Sequence, residues 1–475
     1  MNKRNLKLSQ INCFKIREER KMEQLSTLVE QISGFVWNNL LLFLLVGTGV
    51  IFSIRTRFVQ IRKFGEGCRS LFGSISLKGD KAGKDGMSSF QALTTAIAAQ
   101  VGTGNITGCA TALYCGGPGA IFWMWVSAFF GMSTIYGEAV LAQKYKTVDE
   151  DGNVTGGPVY YIKAIFKGRF GKILAGFFSL AIIFALGLTG NMVQSNSIGA
   201  AFETAFHINP LYVGIACAVI AGFIFIGGVK RIASFTEKLV PVMACFYVIG
   251  CVIVLVINHN ALIPAISSIF VAAFSPKAVL GGAVGIGIRE AMRYGVARGL
   301  FSNEAGMGST PHAHALAKVK NPEDQGVIAM MGVFIDTFIV LTMTALVILT
   351  SGQLQAGVEG APSGTALAQA AFSAAFGQFG NVFVAICMLF FAFSTIIGWY
   401  FFGEVNVKAL FGKKAVKAYS VAVVCFIVLG SFLKVDVVWN LSDLFNALMV
   451  FPNLIALLAL SGVVAKVCKD ADLRK

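Results

Sequence analysis

The stretch from Ser88 to Cys115 is apolar enough to cross a bilayer, yet its centre reads Gln100-Val101-Gly102-Thr103-Gly104-Asn105. Ala92 to Ala99 before that centre and Ile106 to Tyr114 after it would each serve as half of a membrane helix. Two glycines one residue apart each weaken a helix interior by roughly 1 kcal/mol relative to alanine. Backbone that leaves the helix inside a membrane must find its hydrogen-bond partners in protein or beside water, because hydrocarbon supplies none. Freed amides and carbonyls near the midplane then form a site for a zwitterion and a small cation. A second reading of the same glycines is close packing between helices, for which small residues are commonly used in membranes.

Composition supports a membrane setting. Of 475 residues, 56% are hydrophobic and only 13% charged, about half the charged share of a soluble domain. The net charge of +15 points to basic cytoplasmic loops rather than to nucleic acid. Cys109, Cys217, Cys245, Cys251, Cys387 and Cys425 sit inside apolar runs and read as small core residues, with no metal-ligand spacing among them.

Taken in order, residues 1–33 form a tail whose basic prefix precedes Met22, a second candidate start. Residues 34–54 make one apolar helix of about the 20 residues a bilayer needs. Residues 55–87 are a basic loop, 88–257 a first group of five spans, 258–465 a second group with an external lid at 351–380, and 466–475 a basic tail. Within these groups the apolar runs are 88–115, 120–143, 173–206, 211–228, 239–257, a glycine-punctuated 278–298, 326–350, 382–402, 416–432 and 438–464. The connector Gly156-Gly157-Pro158-Val159-Tyr160-Tyr161-Ile162 is amphipathic enough to lie at the interface. The expectation is an all-α polytopic protein of about eleven transmembrane helices. Lys and Arg crowd alternate loops, while the opposite loops between spans carry only Lys277 and Lys434. By the positive-inside rule the chain is a multi-pass protein of the cell membrane with its C-terminus in the cytoplasm and its N-terminus outside.

Without the first helix, ten spans remain, and interruptions fall in the first and sixth. The second interruption is Gly299-Leu300-Phe301-Ser302-Asn303-Glu304-Ala305-Gly306-Met307-Gly308. Matching broken helices in two halves point to an inverted-repeat transporter. A dinucleotide loop at Gly102-x-Gly104 lacks both the preceding strand and the following acidic residue that such a site requires.

Four segments carry a more specific signal: Gln100-Val-Gly-Thr-Gly-Asn-Ile106, Gly156-Gly-Pro-Val-Tyr-Tyr161, Gly295-Val-Ala-Arg-Gly-Leu-Phe-Ser-Asn-Glu-Ala-Gly306 and Phe393-Ser-Thr-Ile-Ile-Gly-Trp399. In these, from Gly34 to about Val464, the chain resembles the alanine or glycine:cation symporter family. The resemblance implies a five-plus-five inverted-repeat fold preceded by one extra helix. It also implies import of alanine or glycine, sometimes the D isomer, with sodium as coupling ion and without an organic cofactor or enzymatic activity.

The resemblance and the helix-end argument together place the substrate carboxylate on amides of Thr103 and Gly104, where the outer half-helix begins with its positive end. The ammonium would meet carbonyls near Gln100 and in Gly299-Leu300-Phe301-Ser302. Gln194 either donates to the carboxylate or makes a helix-helix hydrogen bond. Phe301 is a candidate wall limiting side-chain size, as is Trp399, which rests mainly on the resemblance. The implied sodium site uses carbonyls of Ala98, Val101 and Phe391 with hydroxyls of Ser394 and Thr395, and Asn105 is a candidate for a second cation. A Ser-Thr pair in a membrane helix also commonly bonds only its own backbone. Among the acids in or near spans, Glu138, Glu404, Asp443 and Asp336, the last lies deepest and is the candidate for proton coupling instead. Glu138 and Glu404 fall near span ends and read as interfacial, as do His312 and His314. An ion channel is a further reading, though selectivity rings usually need oligomeric repetition of a short loop.

Overall fold

The computed structural model describes residues 32, 34–73, 86–150, 152–275 and 286–474. The question of Met22 as a start lies outside these residues, as do most of 1–33 and the beginning of the glycine-punctuated run at 278–298. The described chain is almost wholly helical, apart from a two-stranded antiparallel hairpin, β1 (Thr147–Val148) with β2 (Val154–Thr155). Among the described residues, seven helices are long and apolar enough to cross a membrane.

Helix α1 (Leu42–Arg55) follows a π turn at Trp37–Leu41. The first interrupted helix comprises α2 (Ser89–Gln100), a break, a π turn at Gly104–Gly108 and α3 (Cys109–Gly116). Its start is fixed by a capping box in which Ser88 Oγ accepts from Gln91 N at 3.0 Å and Gln91 Oε1 accepts from Ser88 N at 3.1 Å. After α4 (Gly119–Lys144) come the hairpin and a short helix at Pro158–Ile165. Helices α5 (Gly168–Phe206), α6 (Pro210–Ile226) and α7 (Gly228–Ile257) follow. A helix not anticipated from the sequence, α8 (His259–Phe274), runs next. It opens at His259-Asn260 and holds Pro264, and those signals obscured an otherwise apolar run.

The second interrupted helix is α9 (Ile288–Asn303), a break and the single turn α10 (Pro311–Ala315). Then come α11 (Pro322–Thr350), α12 (Gly364–Phe376), α13 (Gln378–Phe411), α14 (Ala415–Phe432) and α15 (Val435–Asp472). Residues 351–380, expected as a lid, contain α12 and rest on the outer half of the first broken helix. Tyr114 O accepts from Gly357 N at 2.8 Å, Tyr114 Oη donates to Val358 O at 2.7 Å, and the Thr107 and Thr365 hydroxyls lie 2.8 Å apart.

Packing brings α4 against α9 and α11, α5 against α13, and α2 against α7 and α13. The short helix at Pro158–Ile165 does not simply lie at an interface, because Pro158, Val159, Tyr161 and Ile162 are buried and the Tyr161 hydroxyl donates to Asn453 Oδ1 on α15. At the basic end, Lys63 pairs with Glu323 and, at 3.2 Å, with Asp472. These contacts fasten the segment after α1 to α11 and α15.

Helix α1 meets α4 through small residues and a serine pair. Ser53 Oγ and Ser133 Oγ lie 2.9 Å apart, and a Cβ on Gly49 would fall 2.7 Å from Phe130 Cβ. Gly47, half a turn away, has nothing within 4 Å of the same construction. Gly49→Leu is therefore expected to cost about 1–3 kcal/mol through overpacking and to lower the melting temperature in detergent. Gly47→Leu, measured in parallel, should leave it unchanged.

Candidate functional site

Both interruptions contain backbone that has left its helix, and in each case side chains occupy the freed groups. In the first, Val101 turns to φ −81° and ψ 90°. Gly102 N donates to Asn105 Oδ1 at 2.9 Å, and Thr103 N donates to Gln194 Oε1 of α5 at 3.1 Å. Gln194 thus makes an interhelical bond to the very amide expected to meet a carboxylate. Glycine is required at both positions by neighbours: a Cβ on Gly102 would lie 2.3 Å from Thr395 Oγ1, and one on Gly104 would lie 2.9 Å from Ser302 Cα. Broken helix and close packing are therefore two aspects of one arrangement.

The second break begins later than its sequence indicated. Gly299, Leu300, Phe301 and Ser302 form the last turn of α9, and the chain leaves the helix at Glu304, whose φ is 58°. Leu300 O is consequently taken by Glu304 N at 2.8 Å, as at any helix C-terminus. Gly306 and Gly308 follow with φ of 90° and 80°. Their amides donate to Glu138 of α4, at 3.0 Å to Oε2 and 2.9 Å to Oε1. Asn453 Nδ2 adds bonds to Glu138 Oε1 at 2.7 Å and to Gly306 O at 2.9 Å. Glu138 is thus fully buried inside the bundle rather than interfacial. His312 and His314 are likewise buried. Asn406 Nδ2 donates to His312 Nε2 at 2.9 Å, which leaves the ring proton on Nδ1 for the Ser309 carbonyl at 2.7 Å. Glu404 is buried near the basic end and paired with Lys408 at 2.7 Å.

The two breaks face one another. Gln100 Nε2 donates to Asn303 O at 2.8 Å, and Gly104 lies against Ser302. Beside this junction the five groups named for a small cation converge. Thr395 Oγ1 lies 2.9 Å from Ala98 O, 3.5 Å from Val101 O and 3.0 Å from Phe391 O, and Ser394 Oγ lies 3.3 Å from Ala98 O and 2.8 Å from Phe391 O. The hydroxyls bond their own helix backbone, as serine and threonine commonly do, but they also reach across to the broken helix.

On the other side of the junction, Asp336 lies in a π-helical stretch of α11, a local widening frequent at functional positions. Its carboxyl accepts from Ser302 Oγ at 2.9 and 3.0 Å, Thr337 Oγ1 at 2.9 Å and Asn105 Nδ2 at 2.7 Å. Asp336 therefore joins α11 to both broken helices, through Asn105 to the first and Ser302 to the second.

Beside the junction, Phe301 and Trp399 meet edge to face with ring centroids 5.7 Å apart. Phe301 also packs on Trp439 at 5.0 Å. The Arg298 guanidinium lies 4.6 Å over the Trp439 ring and forms two bonds to Asp443, at 2.9 and 2.8 Å. Sequence reasoning named Asp443 without its partner. An isolated Arg and an isolated Asp inside apolar spans were the signal, since buried charges need pairing.

A family model, the sodium:alanine symporter family, matches residues 22–474. The chain belongs to this family. It is 42% identical over 449 residues to the sodium/alanine symporter AgcS of Methanococcus maripaludis, covering 93% of this chain and 96% of that protein. It is 40% identical to the amino-acid carrier protein AlsT of Bacillus subtilis, with 94% and 92% covered. The same identity and coverage hold for the probable sodium/glutamine symporter GlnT of Bacillus subtilis. Among solved structures, MhsT in complex with L-phenylalanine superposes with a TM-score of 0.57 at 13% identity, over 81% of this chain and 99% of that one. A manganese transporter of Eremococcus coleocola superposes at 0.51 and 14% identity, over 77% and 75%. The protein is thus a multi-pass membrane transporter whose helical fold is shared with carriers of distant sequence.

Because the Glu138 carboxyl caps the second break, Glu138→Gln turns an acceptor oxygen into a donor facing a backbone N–H. The expected cost is about 1–3 kcal/mol, read as a lower melting temperature of the detergent-purified protein.

Proposed function

We propose that this protein imports small neutral amino acids, namely alanine, glycine and D-alanine, by sodium symport with alternating access. The observation that carries the reading is the convergence of Ala98, Val101, Phe391, Ser394 and Thr395 oxygens beside the first break. Such a set of neutral hard oxygens suits a hard monovalent cation. The architecture proposed is eleven transmembrane helices, ten of them in two inverted repeats, with the basic loops in the cytoplasm.

In this reading the substrate carboxylate displaces Gln194 Oε1 from Thr103 N and adds the Gly104 amide, at the positive end of the outer half-helix. The ammonium turns to carbonyls near Gln100 and at the end of α9, where residues 299–302 form the last helical turn. Phe301 and Trp399 leave room for a hydrogen or a methyl group. Coupling follows from shared backbone: a cation that orders Val101 also fixes the amides the substrate uses, so each ligand raises the affinity of the other by the same factor. Rocking of one helix bundle against the other then exchanges access.

Proton coupling is a second reading, favoured by one observation. Among the described residues, Asp336 is a buried carboxyl held only by neutral donors, at the contact of both broken helices. Uptake of labelled alanine into proteoliposomes, under an inward sodium gradient or an inward proton gradient at equal membrane potential, separates the two. The expected result is sodium-dependent accumulation that is lost in the Ser394→Ala/Thr395→Ala double variant. Accumulation driven by protons alone and lost in Asp336→Asn would replace sodium with the proton, and absence of accumulation under both gradients would remove the symporter assignment.

A further inference from the structure

Glu304 has no part in the mechanism above, yet it is fully buried and touches one of the proposed substrate walls. Its Oε1 accepts from Trp399 Nε1, and its Oε2 accepts from Ser309 Oγ at 2.5 Å. An indole N–H can only donate, so the ring is oriented by whatever accepts from it. No other acceptor for this N–H occurs among the described residues. No basic side chain among the described residues pairs with Glu304.

Three further constraints act on the same ring. Gly190 lies against its face so closely that a Cβ there would stand 2.6 Å from Trp399 Cζ3, and Phe301 meets it at 90°. Glu304 itself is held in the left-handed region by the break, with φ of 58°. Its carboxyl therefore spans the break from Glu304 to Ser309 while reaching across to α13.

We infer that Glu304 is a positioning residue that sets the size limit of the amino-acid site by pinning the Trp399 indole against it. This rests on the transport reading given above. Without the carboxyl the ring keeps its contacts with Gly190 and Phe301 but loses the anchor that fixes its rotation, and the wall yields to longer side chains. Because the same carboxyl holds Ser309, the wall is tied to the inner half of the broken helix and moves with it.

The test is uptake competition in proteoliposomes holding the full chain, with glycine, alanine, serine and methionine against labelled alanine. The variants are Glu304→Ala, Glu304→Gln, Trp399→Phe and the double variant Glu304→Ala/Trp399→Phe. Glu304→Ala is expected to reduce the preference for alanine over methionine roughly tenfold, the scale of one lost hydrogen bond to a charged group. Maximal alanine flux should fall less than the selectivity does. Glu304→Gln keeps an acceptor for the indole and should restore the wild-type profile. Trp399→Phe, which lacks the N–H, should shift selectivity as Glu304→Ala does, and the double variant should add little, because the two substitutions break one contact. Equal loss of affinity for all four amino acids, or additive effects in the double variant, would overturn the inference while leaving transport intact. Absence of uptake of any of the four by the wild-type protein would instead remove the transport reading and this one with it. A Glu304→Ala protein that fails to fold leaves Glu304→Gln and Trp399→Phe to decide: the inference needs the first to keep and the second to lose selectivity.

Discussion

The structure depends on satisfying backbone hydrogen bonds where two helices stop inside a membrane. An unpaired buried amide or carbonyl costs as much as a lost hydrogen bond, and lipid offers no compensation. The solution here is to supply side chains from intact helices. Gln194 and Asn105 serve the first break, Glu138 and Asn453 the second, and Gln100 ties one to the other. Each of these polar residues would be expensive in an ordinary membrane helix. Their presence is what makes irregular backbone affordable at the centre of the fold.

The same accounting explains why the breaks sit side by side. Ser302, Asn105, Thr337 and Asp336 form one hydrogen-bonded cluster in which each helix satisfies the others. Gly104 then allows the backbones to meet, since any side chain there would displace Ser302. Opposite this cluster, the Ser394 and Thr395 hydroxyls bind α13 to the carbonyls freed at Ala98 and Val101. The first broken helix is held between a neutral oxygen set on one flank and a buried carboxyl on the other.

Much of this was legible in the sequence where composition and spacing agree. Gly102 and Gly104 inside an apolar run point to a break, with close helix packing as the other reading, and the run ending at Gly308 points to a second. The exact exit from α9 was not legible. It turns on Glu304 adopting a left-handed conformation, which a glutamate does not advertise, so the last helical turn at 299–302 passed for open chain. Glu138 was misjudged because distance from a span end was used as a measure of depth, whereas its burial comes from the second break at Gly306 and Gly308 and from Asn453 of α15 folding over it. The helix at His259–Phe274 was hidden by polar residues and proline at its start. Arg298 and Asp443 were visible singly, but their pairing joins residues 145 positions apart and needs the fold to be seen.

The bond from Thr103 N to Gln194 Oε1 has a consequence for the empty carrier. A symporter must complete half of its cycle without cargo, and bare amides in a dry cavity would make that return costly. Under the proposed function a carboxamide oxygen stands in for the substrate's carboxylate on the Thr103 amide, so that amide is paired before cargo arrives. In that proposal cargo enters by exchange rather than by filling a void. On the return stroke this amide then keeps a partner, and one polar group fewer has to be rehydrated or left bare.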